Sequence, residues 1–442
     1  MTELRKEISL FGLTMIAIGA SIGVGIFLTP GNIAAHVQSP AVTLWVWALG
    51  GLITLTGALT FAELGAMFPN AGGIYVYLKV AYGDMIAFLY GWVTLLVVNT
   101  GSLAFLALAF AKYFNFVIDV GYDGMQYVAI GMILFVTLVN VFAVSIGEIV
   151  SSILTGLKIL GIGVLIVSGL ILIFHNPFPK AAVTPSLIDE GGNQFALALI
   201  GVLFSYGGWQ HATYLAGEVK NGKDNIPKAL VYGATAITLI YLLCNLSYIY
   251  LMPFEQLQTS NTLAADALQR IFPVWGGVFI AVVIMISAMG TSAIYMFGVP
   301  RIYYAMSKDG VFFPQLARLH PRFQTPVNAI LLQSAWAILL IVFWGRLENI
   351  INYVVFTDWI FFLLAALSVF ILRYKLPHKN RPYKVWGYPI VPFVFVAIVS
   401  WFIFNLLFTK DDAREQVYAG IFVLILGVFF YYFFKKYRNI ER

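Results

Sequence analysis

Charge is what this sequence has least of. Only 10% of its 442 residues are Asp, Glu, Lys or Arg, while 61% are hydrophobic and mean hydropathy is +0.88. A soluble domain carries roughly 25% charged residues. Cysteine is nearly absent. The single Cys244 excludes an intramolecular disulfide and a cysteine metal site, and reads as a buried apolar thiol. Histidine is scarce as well, and His175 and His211 have no ligand-spaced partners, so no metal site is expected. No Walker loop, Rossmann fingerprint or nucleophile motif occurs, so neither a cofactor nor enzyme chemistry is expected. The short N-terminal stretch MTELRKEISLFG lacks a small-residue cleavage site, and no cleavable signal peptide is expected.

What the chain has instead is apolar length. A bilayer-spanning helix needs about 20 apolar residues. About twelve segments reach that length, over 11–37, 41–68, 82–115, 125–145, 149–174, 195–219, 228–252, 273–306, 327–345, 347–373, 387–408 and 413–434. The sequence therefore predicts an all-α integral membrane protein in contact with lipid. With twelve spans the loops alternate sides. Lys112, Lys180, Arg270, Arg346, Lys410 and Arg414 fall on one side, Lys158 falls within the membrane, and the remaining Lys and Arg fall on the other side. Cytoplasmic loops carry the Lys/Arg excess, which places both termini inside the cell. The net charge of +6 is thus a topology signal rather than a nucleic-acid patch.

Two of the spans are interrupted. The first carries Gly19-Ala20-Ser21-Ile22-Gly23-Val24-Gly25-Ile26-Phe27 at its middle, and the sixth carries Phe204-Ser205-Tyr206-Gly207-Gly208-Trp209. Glycine costs a helix roughly 1 kcal/mol relative to alanine, and freed backbone groups are not tolerated facing lipid. Breaks in corresponding positions of two halves point to a midplane binding site between repeats. Five spans followed by five more predict an inverted 5+5 repeat: residues 1–174, then 195–373, with 387–442 lying outside it. Other glycines, at 57, 91, 131, 161 and 163, read as sites of close helix packing.

The breaks supply chemistry. A helix restarting near Ile26 exposes N–H groups of Gly23, Val24 and Gly25, an anion site of carboxylate size. Helix ends near Ser21 and at Phe204, Ser205 and Gly207 expose carbonyls, which attract an ammonium. Side by side they match an α-amino acid zwitterion. Lys158 lies about nine residues into the fifth span, roughly 13 Å deep at 1.5 Å per residue. It can stand where a coupling cation would bind, with carbonyls near Gly19 and hydroxyls of Ser287, Thr291 and Ser292 as acceptors, or it can form a structural salt bridge or snorkel. Asp358, the other deep charge, has three candidate roles: contact with a substrate side chain, acceptance of a coupling proton, or support of a polar cluster. Phe204 is placed to gate the site. Tyr241 can support freed backbone near the first break. Glu63 reads as an ordinary interface residue with a structural role.

These stretches resemble a known family. Ala20–Phe27 resembles the first-helix signature of the amino acid–polyamine–organocation superfamily, and Phe61–Pro69 followed by Gly72-Gly73-Ile74-Tyr75 is similar to its second-helix motif. Phe204–Trp209, Gly217-Glu218-Val219-Lys220-Asn221, Pro300-Arg301 and Asp309-Gly310 are similar to the L-type amino acid transporter branch. The resemblance implies the inverted-repeat fold with alternating access. It further implies amides of Val24 and Gly25 on the substrate carboxylate, carbonyls of Ser21, Phe204 and Gly207 on its ammonium, and Lys158 in place of a sodium ion. Family members are mostly sodium-independent exchangers. In the human light subunits a partner glycoprotein is disulfide-linked through an extracellular cysteine, which this chain does not have, so no such partner is expected. Asp358 departs from the family pattern and leaves side-chain selectivity open. The expected function is sodium-independent exchange of small or broad-range neutral L-amino acids in a bacterial plasma membrane. Proton-coupled symport, exchange of cationic amino acids or amines through Asp358, and a non-transporting receptor are the alternatives.

Overall fold

The computed structural model describes residues 6–142, 144–173, 193–344, 347–408 and 413–440. His175 lies outside them, as do the side chains of Tyr353 and Arg414. Among the described residues every regular element is helical, apart from an isolated parallel bridge between Ile8 and Val219.

Among the described residues nine helices are long and apolar enough to cross a membrane, and ten if the bent pair Leu10–Ser21 and Gly25–Val37 is one span. The expected sixth and ninth spans are represented by the shorter apolar helices Gln194–Tyr206 and Val327–Phe343. Length and apolarity among the described residues therefore fall short of the twelve spans expected. The shortfall at the sixth has a local cause. That helix stops at Tyr206, turns through residues 207–210, and resumes only as the short helix His211–Tyr214.

Local chemistry sets the ends. The Ser9 hydroxyl accepts from the Gly12 N–H at 3.0 Å and caps the first helix. Ser39 stands at the start of the next, with Pro40 in its first turn, where a missing N–H costs nothing. The first helix and its continuation meet at 42°. Small residues allow close approach elsewhere. A Cβ on Gly57 would lie 2.6 Å from Phe395, on Gly91 2.0 Å from Met306, and on Gly161 2.4 Å from Val283. Gly131 and Gly163 differ from expectation, since no atom lies within 4 Å of where their Cβ would be.

One face of the molecule is held by ion pairs. Glu63 is fully buried rather than an interface residue. It takes Arg373 bidentately at 2.9 and 2.6 Å, approaches Arg381 at 3.5 Å and accepts from the Val385 N–H at 2.8 Å. Three hydrogen bonds and a second guanidinium nearby compensate the buried charge of this carboxylate. Arg301 pairs with Glu218 at 2.9 Å, and the Glu218 carbonyl receives the N–H groups of Glu7 and Ile8. Lys79 meets Asp309 at 2.7 Å, where the Tyr75 hydroxyl also donates at 2.7 Å. Replacing Glu63→Gln leaves Arg373 without its counter-charge. We expect it to destabilise the protein by about 3 kcal/mol, read as a lower melting temperature in detergent.

Candidate functional site

The two interruptions touch. Gly208, at φ +118°, sits so close to the end of the first half-helix that a Cβ would lie 2.4 Å from the Ala20 carbonyl oxygen. A Cβ on Gly25 would lie 2.6 Å from Ser205 Oγ. Thr29 joins them further, its hydroxyl 2.8 Å from that of Ser205 and donating to the Gly25 carbonyl at 3.0 Å. Two glycines thus do what no other residue can: one supplies a left-handed backbone, and both allow backbone-to-backbone contact.

Breaking a helix frees up to four carbonyls where the first half ends and four N–H groups where the second begins, and each must be accounted for. On the carbonyl side most are satisfied by side chains of neighbouring helices. The Lys158 ammonium, on the helix Val144–Ile173 and fully buried, donates to Gly19 O at 2.9 Å and Ile22 O at 2.8 Å, and lies 2.9 Å from Thr291 Oγ1 and 3.4 Å from Ser287 O. The Ser287 hydroxyl reaches Gly23 O at 2.8 Å and Ile22 O at 3.0 Å, and that of Thr291 reaches Gly19 O at 2.9 Å. Both belong to the helix Gly276–Gly298. Ser292, grouped with them by sequence, is not drawn in. Its hydroxyl is buried and has no hydrogen-bond partner among the described residues. No carboxylate pairs with Lys158 among them either, so its charge is met by oxygen dipoles alone.

Tyr241 closes the other side. Its hydroxyl lies 2.7 Å from Ser21 O and 2.9 Å from Ser205 O, one proton shared between the two broken helices. Behind it pack Trp47 and Tyr206, with ring centroids 5.5 and 4.9 Å away. Ser21 O also accepts from Gly23 N at 2.7 Å, so both its lone pairs are in use. Phe204 O accepts from Gly207 N at 3.2 Å and Ser205 O from Tyr241 alone, leaving a lone pair on each. On the donor side Gly23 N is turned inward to Ser21, whereas Val24, Gly25 and Ile26 donate to no backbone carbonyl among the described residues.

Between the breaks lies a cavity of about 60 Å³, bordered by Ser21, Val24, Gly25, Phe204, Ser205 and Gly207 together with Asn99, Phe105, His211, Tyr295 and Asp358. On the same measure a water needs roughly 10–15 Å³, so the space suits a few waters or one small solute. The Phe204 ring meets Phe105 edge-on at 4.9 Å. His211 stacks on Tyr295 at 4.1 Å and lies 2.9 Å from Gly208 O through Nδ1. Asp358 reaches the cavity wall, 9% exposed, with no hydrogen-bond donor among the described residues. Sequence reasoning missed Ile22, Phe105 and Gly208. The first acts only through its carbonyl, and the second sits in an unbroken apolar run, so neither carried a signal. Gly208 was part of the quoted motif, but its contact with Ala20 is visible only in three dimensions.

A membrane-embedded helical protein with free amides and carbonyls converging on a small central cavity is the architecture of a small-solute permease. The chain belongs to the amino acid permease family, whose model matches residues 8–431. It is similar to the serine/threonine exchanger SteT of Bacillus subtilis, 31% identical over 98% of this chain and 98% of that protein. It is also similar to the human b(0,+)-type amino acid transporter 1, 30% identical over 99% of this chain and 89% of the other. The human cystine/glutamate transporter is 28% identical over 98% and 86%. At the level of the family these are transporters rather than enzymes, and the chain is an integral membrane protein of the amino acid–polyamine–organocation superfamily.

The contact at Gly208 yields a test. Gly208→Ala adds a Cβ at a positive φ against the Ala20 carbonyl. It should cost about 3 kcal/mol or more and abolish uptake in proteoliposomes at unchanged protein incorporation.

Proposed function

We propose that this protein is a sodium-independent exchanger of small or broad-range neutral L-amino acids, working by alternating access. The observation that carries the reading is the juxtaposition at the cavity of free N–H groups on the helix starting at Gly25 with carbonyls that keep open lone pairs. The carboxylate is held by the amides of Val24, Gly25 and Ile26, the group shifting by one residue from the Gly23–Gly25 expectation because Gly23 N bonds Ser21. The ammonium is held by carbonyls of Phe204, Ser205 and Gly207, with Ser21 already doubly bonded. Helix-terminal dipoles favour both ends of the zwitterion. Phe204, edge-on to Phe105, gates the cavity.

Lys158 takes the role of a fixed coupling cation, and its four oxygen neighbours support this. A permanent ammonium there removes the need for sodium. The two breaks belong to two inverted repeats, 1–174 and 195–373, with 387–442 peripheral. Both termini are cytoplasmic, in keeping with the Lys/Arg distribution, and the membrane is the bacterial plasma membrane. Cys244 is buried within the helix Gly222–Leu251, so no disulfide-linked partner subunit attaches through it. Relatives whose printed names are exchangers and transporters of amino acids support the substrate class.

The unpaired Asp358 favours a second reading, in which a coupling proton or a cationic side chain is bound there. Uptake driven by an inward proton gradient and lost in Asp358→Asn would establish it in place of neutral exchange.

Exchange predicts that a preloaded neutral amino acid accelerates uptake several-fold over empty vesicles, with no sodium present. Equal rates into empty and loaded vesicles rule it out. Lys158→Ala should weaken transport and lower the melting temperature together, because it takes the charged donor from the carbonyls of Gly19 and Ile22 and leaves them only the Ser287 and Thr291 hydroxyls. Wild-type kinetics in that variant would remove Lys158 from the mechanism.

A further inference from the structure

The third long span is not a regular helix. Its first part, Asp84–Val93, passes into a π-helical segment at Thr94–Val98 before resuming as Asn99–Val117. The Asn99 N–H donates to Thr94 O and the Thr100 hydroxyl to Leu95 O at 2.6 Å, both skipping one residue more than an α-turn would. One inserted residue turns everything after it by about 100°, and such segments frequently mark functional sites. Here the turn brings Asn99, Ser102 and Phe105 onto the cavity wall.

Three polar residues of this stretch border the cavity, and two of them are occupied elsewhere. Thr94 donates to Tyr90 O at 2.7 Å and Ser102 to Val98 O at 2.7 Å. Asn99 is 3% exposed, and neither its amide oxygen nor its amide nitrogen has a partner among the described residues. The bland account of a buried asparagine is that it bonds a helix. Asn140 and Asn245 do so here, donating to Val136 O at 2.9 Å and Tyr241 O at 2.8 Å. Asn99 does not: it borders the cavity with both ends of its amide buried and unpartnered among the described residues.

We propose that Asn99 reads the substrate's side chain and selects α-amino acids with a short, neutral, hydrogen-bonding side chain, a hydroxyl or carboxamide, over apolar ones of the same shape. This rests on the zwitterion reading of the two breaks. A carboxamide both donates and accepts, so it fits groups that do the same. The cavity volume of about 60 Å³ and the Phe105–Phe204 pair favour short side chains. A buried site made to hydrogen-bond a polar group rejects the apolar analogue because its own atoms are then left unpaired.

Threonine and valine differ by a hydroxyl for a methyl and are the probes. The full-length protein in proteoliposomes should show a lower KM for threonine than for valine. Asn99→Leu should shrink the ratio of the two KM values at least about tenfold, and Asn99→Ser, which keeps a hydroxyl, should fall between. A wild-type protein that takes valine as well as threonine overturns the proposal without any variant. So does an Asn99→Leu protein that keeps the full preference. Vesicles in which no amino acid stimulates exchange refute the exchange reading instead, and the two failures are told apart by that control.

Discussion

The Lys158 ammonium and the carbonyls around it are the interaction on which this architecture depends. A helix cannot be broken inside an apolar protein unless the freed backbone groups find partners. Gly19 and Ile22 find them in Lys158, Ile22 and Gly23 in Ser287, and Gly19 again in Thr291. The charge has no ionic partner among the described residues, which would ordinarily forbid its burial. The break makes the burial possible, because it concentrates unpaired carbonyl dipoles at one point. Lysine and break therefore stabilise each other, and neither is intelligible alone.

Division of labour around the break follows from this. Carbonyls on one flank are fully engaged by Lys158, Ser287 and Thr291, and Ser21 by Tyr241 and Gly23. Among the groups left over, the amides of Val24 and Gly25 on one side and the carbonyls of the second break on the other belong to residues that border the cavity. On the proposed reading, backbone recognises what all α-amino acids share, and side chains such as Asn99 and Asp358 are left to distinguish among them.

Much of this was legible in the sequence, because a membrane exaggerates local signals. Glycine runs inside apolar segments marked both breaks, and a lone lysine deep in one segment could be matched to carbonyls and hydroxyls before any geometry was known. What escaped was backbone and register. Ile22 acts through its carbonyl, Gly23 spends its N–H within the break, and the π-turn that rotates Asn99 leaves no trace in the apolar pattern. The count of twelve spans was read from hydropathy. Among the described residues ten of the twelve are matched by helices of membrane length, counting the bent pair as one, and the sixth and ninth by the shorter apolar helices Gln194–Tyr206 and Val327–Phe343. Glu63 has the structural role expected of it, but its partners Arg373, Arg381 and Val385 could not be read from the sequence because they lie more than three hundred residues away.

The contact of Gly208 with Ala20 and of Gly25 with Ser205, tied by one tyrosine hydroxyl across both breaks, has a kinematic consequence. Two helices joined at their midpoints by backbone contact cannot tilt separately without parting those atoms. Parting the two breaks would therefore cost the Tyr241 bridge and the glycine contacts at once, so the strength of that junction bears on the cavity between them.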